Sequence, residues 1–310
     1  MLVALLAMMG AGQVLAAYSQ IIAFGDSLSD TGNLYKLSLP FLGGYPGEPY
    51  YQGRFSNGAV AVEAMAADLG VPVTSYAVGG AQTGMNNQGG PFLDGTGVTG
   101  QIMSYAQQIR GRSSDPDALY FVWAGPNDFL TGGNIWSAKT STKAYGNMVA
   151  NVDGLYYLGA RHFYIPLMPD LSLTPAGQQS DAAYQAAAAL RTDEYNRLLL
   201  AGMSSLATRY EGMNVTLFDT AGFMSAQIPS LQATGVETVA ACFNISAGTT
   251  CQQPDAYLFW DGQHPTAFTN QMLGRAFASA VPEPGVPSLM GIGAVLMLLH
   301  AGRRRKPLLI

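Results

Sequence analysis

Charged residues are scarce in this chain of 310 residues, because Lys, Arg, Asp and Glu together make up only 11% of it. The formal net charge is −5, and the one dense basic run is 303–306, near the far end. Nucleic-acid binding requires clustered Lys and Arg that displace counterions from phosphates, so this composition argues against a nucleic-acid partner. The 48% of hydrophobic residues instead suits one sizeable core and predicts one domain with terminal appendages.

Several metal and phosphate motifs are also absent from the sequence. It has no His-Glu-x-x-His pair, no four-cysteine pattern and no phosphate-binding Gly-Lys-Ser loop. These absences argue against zinc-dependent and nucleotide-dependent chemistry. The two cysteines, Cys242 and Cys251, lie nine residues apart. In an oxidising compartment they predict a local disulfide, whereas inside the cell they would stay free thiols.

The two ends of the chain are typical of targeting segments. Residues 1–17 form an apolar run that closes on small residues, which predicts a signal peptide cut by signal peptidase. This run lacks the usual basic start, and a buried first helix is the alternative. At the other end, Pro282-Glu283-Pro284 precedes an apolar stretch, 286–301, and the basic run 303–306.

This order of features at 281–310 resembles the PEP-CTERM sorting signal of Gram-negative bacteria. The resemblance implies a transient membrane anchor and cleavage by an exosortase, with export to the periplasm, cell surface or extracellular matrix. A plain C-terminal membrane anchor is the alternative. The expected division is a signal peptide at 1–17, one domain at 18–280 and a sorting signal at 281–310.

Short apolar runs alternate with helical patterns between these ends, which predicts an α/β fold. Five runs rich in β-branched or aromatic residues predict strands at 20–24, 71–77, 118–124, 162–168 and 215–218. Ala- and Leu-rich segments predict helices at 59–69, 101–110, 143–158 and 182–206. Such alternation favours a parallel sheet with helices on both faces, whose ligand crevice lies beyond the carboxyl ends of the strands.

A nucleophile and a base are the first candidates at those strand ends. Ser27 follows the first predicted strand, and a serine needs a base to remove its proton. Of the three histidines, His300 lies in the apolar tail and His162 in a predicted strand, which leaves His264 in a polar loop. Asp261, three residues earlier, could orient the imidazole and complete a Ser-His-Asp triad. Taken singly, such a serine is more often a turn residue and an Asp-x-x-His pair more often a surface hydrogen bond.

Acyl transfer also requires hydrogen-bond donors for an oxyanion. Gly80 after the second strand, Asn127 after the third and the N–H of Ser27 supply three candidates. In a sheet of order 2-1-3-4-5, the second and third strands flank the first, so both donors would bracket the nucleophile. A tight turn for Gly80 and a helix cap for Asn127 are the alternatives.

Four ordered blocks resemble the SGNH/GDSL hydrolases: Gly-Asp-Ser-Leu at 25–28, Val-Gly-Gly-Ala at 78–81, Gly-Pro-Asn-Asp at 125–128 and Asp-Gly-Gln-His at 261–264. The resemblance implies a three-layer, flavodoxin-like fold with a five-stranded parallel sheet. It also implies the triad, the three oxyanion donors and the absence of any metal or organic cofactor. Two departures are Ser75-Tyr76-Ala77, where the family often has Asn before its second block, and Pro126 within the third.

The function expected from this resemblance is hydrolysis of a small-molecule, lipid or sugar ester by an exported serine esterase or lipase. Deacylation of an exopolysaccharide and acyl transfer are alternatives within the same chemistry. A surface or matrix protein whose catalytic site has decayed is a third. Specificity is expected from the loops 45–51 and 84–100, whose side chains could either line a pocket or pack on the scaffold.

Overall fold

The computed structural model of the chain describes residues 18–130 and 134–282. Its main sheet contains the strands β1 (Ile21–Gly25), β2 (Val73–Ser75), β3 (Leu119–Trp123), β4 (His162–Pro166) and β5 (Asn214–Phe218). All neighbouring pairs are parallel, and the order is β2-β1-β3-β4-β5. The expected α/β fold and strand order are therefore confirmed. Each strand lies inside its predicted range or within one residue of it.

Strand β1 lies at the inside of the sheet, where Ile21 is opposite Val73 of β2 and Leu119 of β3. Every residue of β1 and β3 is buried. Both faces of a parallel sheet are covered by its crossover helices, which explains why these strands are apolar runs without alternation. The carboxyl end of β1 is thus flanked by the ends of β2 and β3.

The helices within the described residues are α1 (Asn33–Leu42), α2 (Ala61–Leu69), α3 (Val98–Ile109), α4 (Pro126–Phe129), α5 (Ala138–Tyr157), α6 (Pro175–Gln178), α7 (Ala182–Arg209), α8 (Thr220–Ala233) and α9 (Ala267–Ala280). The four helices expected from the sequence correspond to α2, α3, α5 and α7. Ile22 and Phe24 of β1 pack in the same core as α3, α5 and α7. Ile21 and Ala23 pack with α2, α8 and α9 on the other face, as the two-residue period of a strand requires.

Helix α9 is anchored closely against α2. A Cβ atom added to Gly274 would lie 2.4 Å from the Cβ of Ala64, so the two helices can approach this closely only with glycine at this position. Asn270 of α9 also accepts a hydrogen bond from the backbone N–H of Ala61, at 3.0 Å. Because α9 begins just after the Asp261–His264 segment, this packing fixes one end of that segment.

A peripheral layer holds the other end of the Asp261–His264 segment. It contains the parallel pair β6 (Glu237–Ala241) and β9 (Tyr257–Phe259) and the hairpin β7 (Phe243–Asn244) and β8 (Thr249–Thr250). A disulfide joins Cys242 to Cys251 at the base of this hairpin. None of these four strands was predicted from the sequence.

The predicted signal peptide, 1–17, and all but the first two residues of the predicted sorting signal lie outside the described residues. Across residues 18–130 and 134–282, no helix combines the length and the apolar character needed to cross a bilayer.

Candidate active site

Ser27 lies two residues beyond the carboxyl end of β1 and is 7% exposed. The turn that presents it depends on Gly25, where an added Cβ would lie 2.3 Å from the carbonyl oxygen of Trp123. Any other residue would push β1 away from β3. The sequence therefore needs glycine here to bring the serine hydroxyl to the edge of the sheet.

His264 reaches this serine from the far end of the chain. Its Nε2 lies 2.8 Å from the Oγ of Ser27, across a sequence separation of 237 residues. With Nε2 unprotonated, the imidazole accepts the hydrogen bond from the hydroxyl, which is the arrangement required of a general base. The sequence-based selection of His264 thus corresponds to a direct contact. His162, in contrast, lies at the opposite edge of the sheet, where β4 begins, and packs against Tyr18.

Asp261 lies on the other side of the imidazole. Both of its carboxylate oxygens lie 2.8 Å from Nδ1 of His264. Burial alone would raise the pKa of this carboxyl, but the charge of His264 and hydrogen bonds from His264, the Gln263 backbone and Tyr50 outweigh it and lower the pKa to about 2. Asp261 is therefore an anion at neutral pH, able to hold the Nδ1 proton and stabilise an imidazolium.

The same pairing acts on His264. Burial would lower the pKa of the imidazole, but the negative charge of Asp261 and its hydrogen bond raise it above the usual value, with a further contribution from the charge of Asp26. An imidazole with a raised pKa is a stronger base for the Ser27 proton.

Tyr50 is a member of this site that sequence reasoning did not identify. Its hydroxyl donates a 2.7 Å hydrogen bond to Oδ2 of Asp261, across 211 residues of sequence. The loop 45–51 was expected to line a pocket or pack on the scaffold, and its Tyr50 packs against Phe55, Phe243 and Trp260. Tyr50 is one of three tyrosines in this Pro-containing loop, and nothing in the sequence distinguishes it from Tyr45 and Tyr51 as a partner of Asp261.

Gly80 lies beyond the end of β2 with a φ of +78°, a left-handed conformation that favours glycine. An added Cβ would also lie 2.6 Å from Oδ1 of Asn87. Asn87 is fixed there by hydrogen bonds to Gly79 and Gly89. The backbone at Gly80 is therefore held rigidly, with no side chain to screen its N–H.

Asn127 lies at the beginning of α4, directly after β3, and is 3% exposed. One hydrogen bond runs from its Nδ2 to the carbonyl of Ala81, at 3.1 Å. An amide NH₂ carries two hydrogens, so one remains for another acceptor. Pro126 occupies the first position of this helix, where a missing N–H costs nothing, which explains why this departure from the usual third block is compatible with the fold.

Two side chains that follow the first block, Asp30 and Asn33, attach this part of the chain to the segment around the second block. Asp30 accepts hydrogen bonds from the backbone N–H groups of Gly32, Asn33, Leu34 and Gly79, at 2.5–3.1 Å. Burial raises the pKa of Asp30 even so, against the lowering effect of these four donors. The carboxylate thereby ties the Gly79-Gly80 turn to the nucleophile loop.

Asn33 supplies the second attachment. Its Nδ2 donates to the carbonyls of Ser75 and Ala77, at 2.8 and 2.9 Å. The hydroxyl of Ser75 donates in turn to the carbonyl of Ser29. Ser75-Tyr76-Ala77, where the family often has Asn, is therefore connected to the segment that follows the first block by Asn33 and by its own serine.

Asp26 is a second buried carboxyl beside the nucleophile, 1% exposed. Its Oδ1 accepts the N–H of Leu28 at 3.0 Å, whereas Oδ2 has no hydrogen-bond partner among the described residues. Burial raises its pKa to about 7, with Asp128 adding repulsion, while the Leu28 N–H and the charge of His264 act in the opposite direction.

A cleft opens over Ser27 and His264. Its walls combine apolar and polar side chains: Leu28, Pro126, Leu130, Leu171, Thr174 and Gln263. No residue of the loops 45–51 and 84–100, from which specificity was expected, lines this cleft. Within residues 18–130 and 134–282, no group of three or more His, Cys, Asp or Glu is placed to hold a metal ion.

Comparisons with known proteins indicate the family of this chain. The model of a family described as GDSL-like lipase/acylhydrolase matches residues 21–277. The thermolabile hemolysin of Vibrio parahaemolyticus is 28% identical over 276 residues, covering 83% of this chain and 62% of the hemolysin. The phosphatidylcholine-sterol acyltransferase of Aeromonas hydrophila is 31% identical over 186 residues, covering 59% of this chain and 54% of the acyltransferase. The chain thus spans less than two thirds of either relative.

Among solved structures, a member of the lipolytic G-D-S-L family from Veillonella parvula matches with a TM-score of 0.45 and 19% identity, over 84% of this chain and 94% of that one. The family model spans both the first block and the His264 loop. The chain therefore belongs to the GDSL-like lipase/acylhydrolase family.

Proposed function

We propose that this protein is an exported serine esterase that hydrolyses carboxylic esters through an acyl-enzyme. The observation that carries the proposal is the continuous chain of contacts from Ser27 Oγ to His264 Nε2 and from His264 Nδ1 to Asp261, each at 2.8 Å. A hydroxyl, an imidazole and a carboxylate in this order can activate a serine for nucleophilic attack.

In the first half of the proposed reaction, the Ser27 oxygen attacks the ester carbonyl carbon while His264 takes the hydroxyl proton. The carbonyl oxygen becomes an oxyanion, for which the N–H groups of Ser27 and Gly80 and the amide of Asn127 are the proposed donors. When the tetrahedral intermediate collapses, the bond to the alcohol oxygen breaks and His264 returns the proton to it. The alcohol leaves, and the acyl group stays on Ser27.

In the second half, His264 takes a proton from water as the water oxygen attacks the acyl carbon. The Ser27 oxygen then leaves with that proton, which releases the carboxylic acid and restores the hydroxyl. Asp261, ionised because its pKa is about 2, stabilises the imidazolium in both halves without accepting the proton.

The cleft supports an ester with at least one apolar part. Leu28, Leu130 and Leu171 border the space next to Ser27, whereas Thr174 and Gln263 offer hydrogen-bonding groups on the same walls. A small-molecule, lipid or sugar ester, including an acylated exopolysaccharide, fits this mixture. Comparison of acetyl, longer-chain and acetylated-sugar esters under identical conditions tests which of these is preferred.

Acyl transfer to an alcohol is a second candidate, favoured by the similarity to the acyltransferase of Aeromonas hydrophila. The acyl-enzyme would then be attacked by an alcohol oxygen instead of water. Product analysis with and without an added alcohol separates the two. Formation of a new ester at the expense of free acid would identify transfer.

Export is the remaining part of the proposal. The Cys242–Cys251 disulfide is the kind of bond that persists in oxidising compartments, and the sequence of 1–17 is typical of a signal peptide. Processing by signal peptidase and an exosortase is proposed to follow. The mass of the mature protein tests both cuts, because it should correspond to a chain that begins near residue 18 and ends near Pro282-Glu283-Pro284.

Replacement of the nucleophile tests the catalytic proposal directly. Ser27→Ala should abolish both ester turnover and labelling by a fluorophosphonate probe, while the melting temperature stays close to that of the wild type. Ser29→Ala, a change of the same type two residues away, should retain both activities. If Ser27→Ala still turns over p-nitrophenyl acetate, this serine is not the nucleophile. If the wild type is not labelled at all, the protein is a non-catalytic member of the family.

A further inference from the structure

Asp261 receives hydrogen bonds from two directions. Its Oδ1 accepts the backbone N–H groups of Gln263 and His264, each at 2.8 Å, from within its own loop. Its Oδ2 accepts the hydroxyl of Tyr50 at 2.7 Å. Within the described residues, Tyr50 is the one donor to this carboxylate from outside the loop, so it fixes the carboxylate relative to the rest of the domain.

The ring of Tyr50 is itself held by aromatic neighbours. Its centroid lies 6.1 Å from that of Phe55, 5.6 Å from Phe243 and 6.3 Å from Trp260, with interplanar angles of 64–90°. Edge-to-face contacts of this kind fix both the orientation of a ring and its position within the cluster. The hydroxyl is therefore aimed at Asp261 by packing rather than by the loop backbone alone.

Two of these neighbours are linked to the disulfide-closed hairpin: Phe243 lies in it, and Trp260 directly follows β9. Phe243 follows Cys242 directly, and its N–H donates to the carbonyl of Trp260 at 2.6 Å. The N–H of Cys242 donates to the carbonyl of Phe259 at 3.0 Å. The disulfide thus closes the hairpin that holds Phe243 and Trp260 against the Tyr50 ring.

We propose that Tyr50 is a positioning residue, whose hydroxyl holds Asp261 in the orientation that serves His264, and that the Cys242–Cys251 hairpin holds Tyr50 in place. This inference rests on the proposed function of the same site. Tyr50 touches neither the cleft nor the nucleophile and acts only through Asp261.

The effect of the Tyr50 hydroxyl on the pKa of His264 depends on the charged and titratable groups around the imidazole. His264 faces Asp261 and Asp26, and Tyr45 and Tyr50 face Asp261. The hydrogen bond from the Tyr50 hydroxyl partly neutralises the negative charge of Asp261. It therefore weakens the electrostatic attraction between Asp261 and the His264 imidazolium. Removal of the hydroxyl should therefore raise the pKa of His264 further and leave the carboxylate less well oriented.

Tyr50→Phe tests this role because it removes the hydroxyl and keeps the ring. We expect kcat to fall roughly tenfold, as loss of a hydrogen bond to a buried charge implies, with KM changed by less than about twofold. The acidic limb of the pH profile of kcat/KM should move to higher pH. Tyr257→Phe is the matched control, since Tyr257 packs in the same aromatic cluster and its hydroxyl makes no hydrogen bond within the described residues. If the Tyr50→Phe and Tyr257→Phe enzymes have the same kcat and the same acidic limb of the pH profile, the proposal is wrong.

A double-mutant cycle tests the role of the hairpin. The pair Cys242→Ser and Cys251→Ser should lower kcat and move the acidic limb in the same direction, and addition of Tyr50→Phe should bring little further loss. Losses that multiply would show that the hairpin acts independently of Tyr50. Labelling of the wild type by a fluorophosphonate distinguishes a failure of the proposed function from a failure of the positioning role of Tyr50. An unlabelled wild type would refute the proposed function, whereas a labelled wild type with a normal Tyr50→Phe enzyme would refute only the positioning role.

Discussion

The proposed nucleophile, Ser27, and the proposed base, His264, are held by regions of different construction. The nucleophile edge consists of Ser27, Gly80 and Asn127, which follow three adjacent strands of the main sheet. The base loop, residues 260–266, lies outside that sheet, between β9 and α9. The main sheet and buried polar side chains fix the nucleophile edge, whereas a two-stranded pair, an aromatic cluster and a disulfide hold the base loop.

This difference indicates which interactions each half of the site depends on. The backbone of the nucleophile edge is tied together by Asp30, whose loss would affect the folding of the whole sheet. The base loop depends on few long-range contacts, among them the Tyr50 hydroxyl and the packing of α9 on α2. Loss of the Asp30 carboxylate should therefore mainly lower the stability of the fold, whereas loss of the Tyr50 hydroxyl should mainly lower catalysis.

The largest effect among the following changes is expected for the oxyanion donor of the nucleophile edge. Asn127→Ala should lower kcat by about two to three decades, because one preorganised donor contributes about 2.7–4 kcal/mol to the transition state. Steady-state kinetics on a p-nitrophenyl ester measures this. Asn214→Ala, at the opposite end of the sheet, is the control and should keep wild-type rates. A loss below threefold for Asn127→Ala would exclude it as an oxyanion donor.

The next largest effect is a loss of stability when the carboxylate of Asp30 is removed from the nucleophile edge. Asp30→Ala leaves four backbone N–H groups without their acceptor, which should lower the free energy of unfolding by about 3 kcal/mol or more. Urea unfolding followed by circular dichroism measures this loss. Asp68→Ala, at an exposed position of α2, should change it by less than about 0.5 kcal/mol. Equal stabilities for the two variants would contradict the role assigned to Asp30.

Removal of the disulfide tests the base loop in the same way. The Cys242→Ser, Cys251→Ser variant frees a short loop, for which chain entropy predicts a loss of about 2–3 kcal/mol. Because the bond lies outside the main sheet, kcat should fall even where the variant remains fully folded. Unfolding and kinetics on the same sample measure both. A variant with reduced stability but wild-type kcat would show that the loop does not depend on this hairpin.

A pH-dependent effect is expected from the buried carboxyl of Asp26 on the nucleophile edge. The pKa of Asp26 is about 7 in the folded chain and near its ordinary value of 3.8 when unfolded, so the folded state binds more protons between these values. Stability should therefore decrease as the pH rises from 4 to 7, and this loss remains above pH 7. Asp26→Asn, which cannot ionise, should exceed the wild type in stability by about 3–4 kcal/mol more at pH 8 than at pH 4.

Thermal unfolding at the two pH values measures the Asp26→Asn difference. Asp68→Asn, at an exposed position, serves as the control and should show no such pH-dependent gain. The same gain at pH 4 and pH 8 for Asp26→Asn would mean that the Asp26 carboxyl does not titrate in this range.

Much of the architecture could be predicted from the sequence because its signals are local. The apolar runs that became β1 to β5 and the Ala-rich segments that became α2, α3, α5 and α7 have the periods that sheets and helices impose. The candidate Ser27 lies in a polar cluster that follows such a run, and the candidates Asp261 and His264 lie in a polar loop. The peripheral strands β6 to β9 were missed because they are short and pair outside the main sheet.

What the sequence determined by itself is the order of elements and the chemical groups at their ends, since both are written within about ten neighbouring residues. Only the tertiary structure decided that His264 meets Ser27 across 237 residues and that Tyr50 reaches Asp261 across 211. It also decided that Asp30 binds the backbone of Gly79 and that Asp26 is buried, with one oxygen that has no hydrogen-bond partner among the described residues. Such contacts depend on how strands and helices pack together, and packing depends on the whole chain rather than on any local pattern.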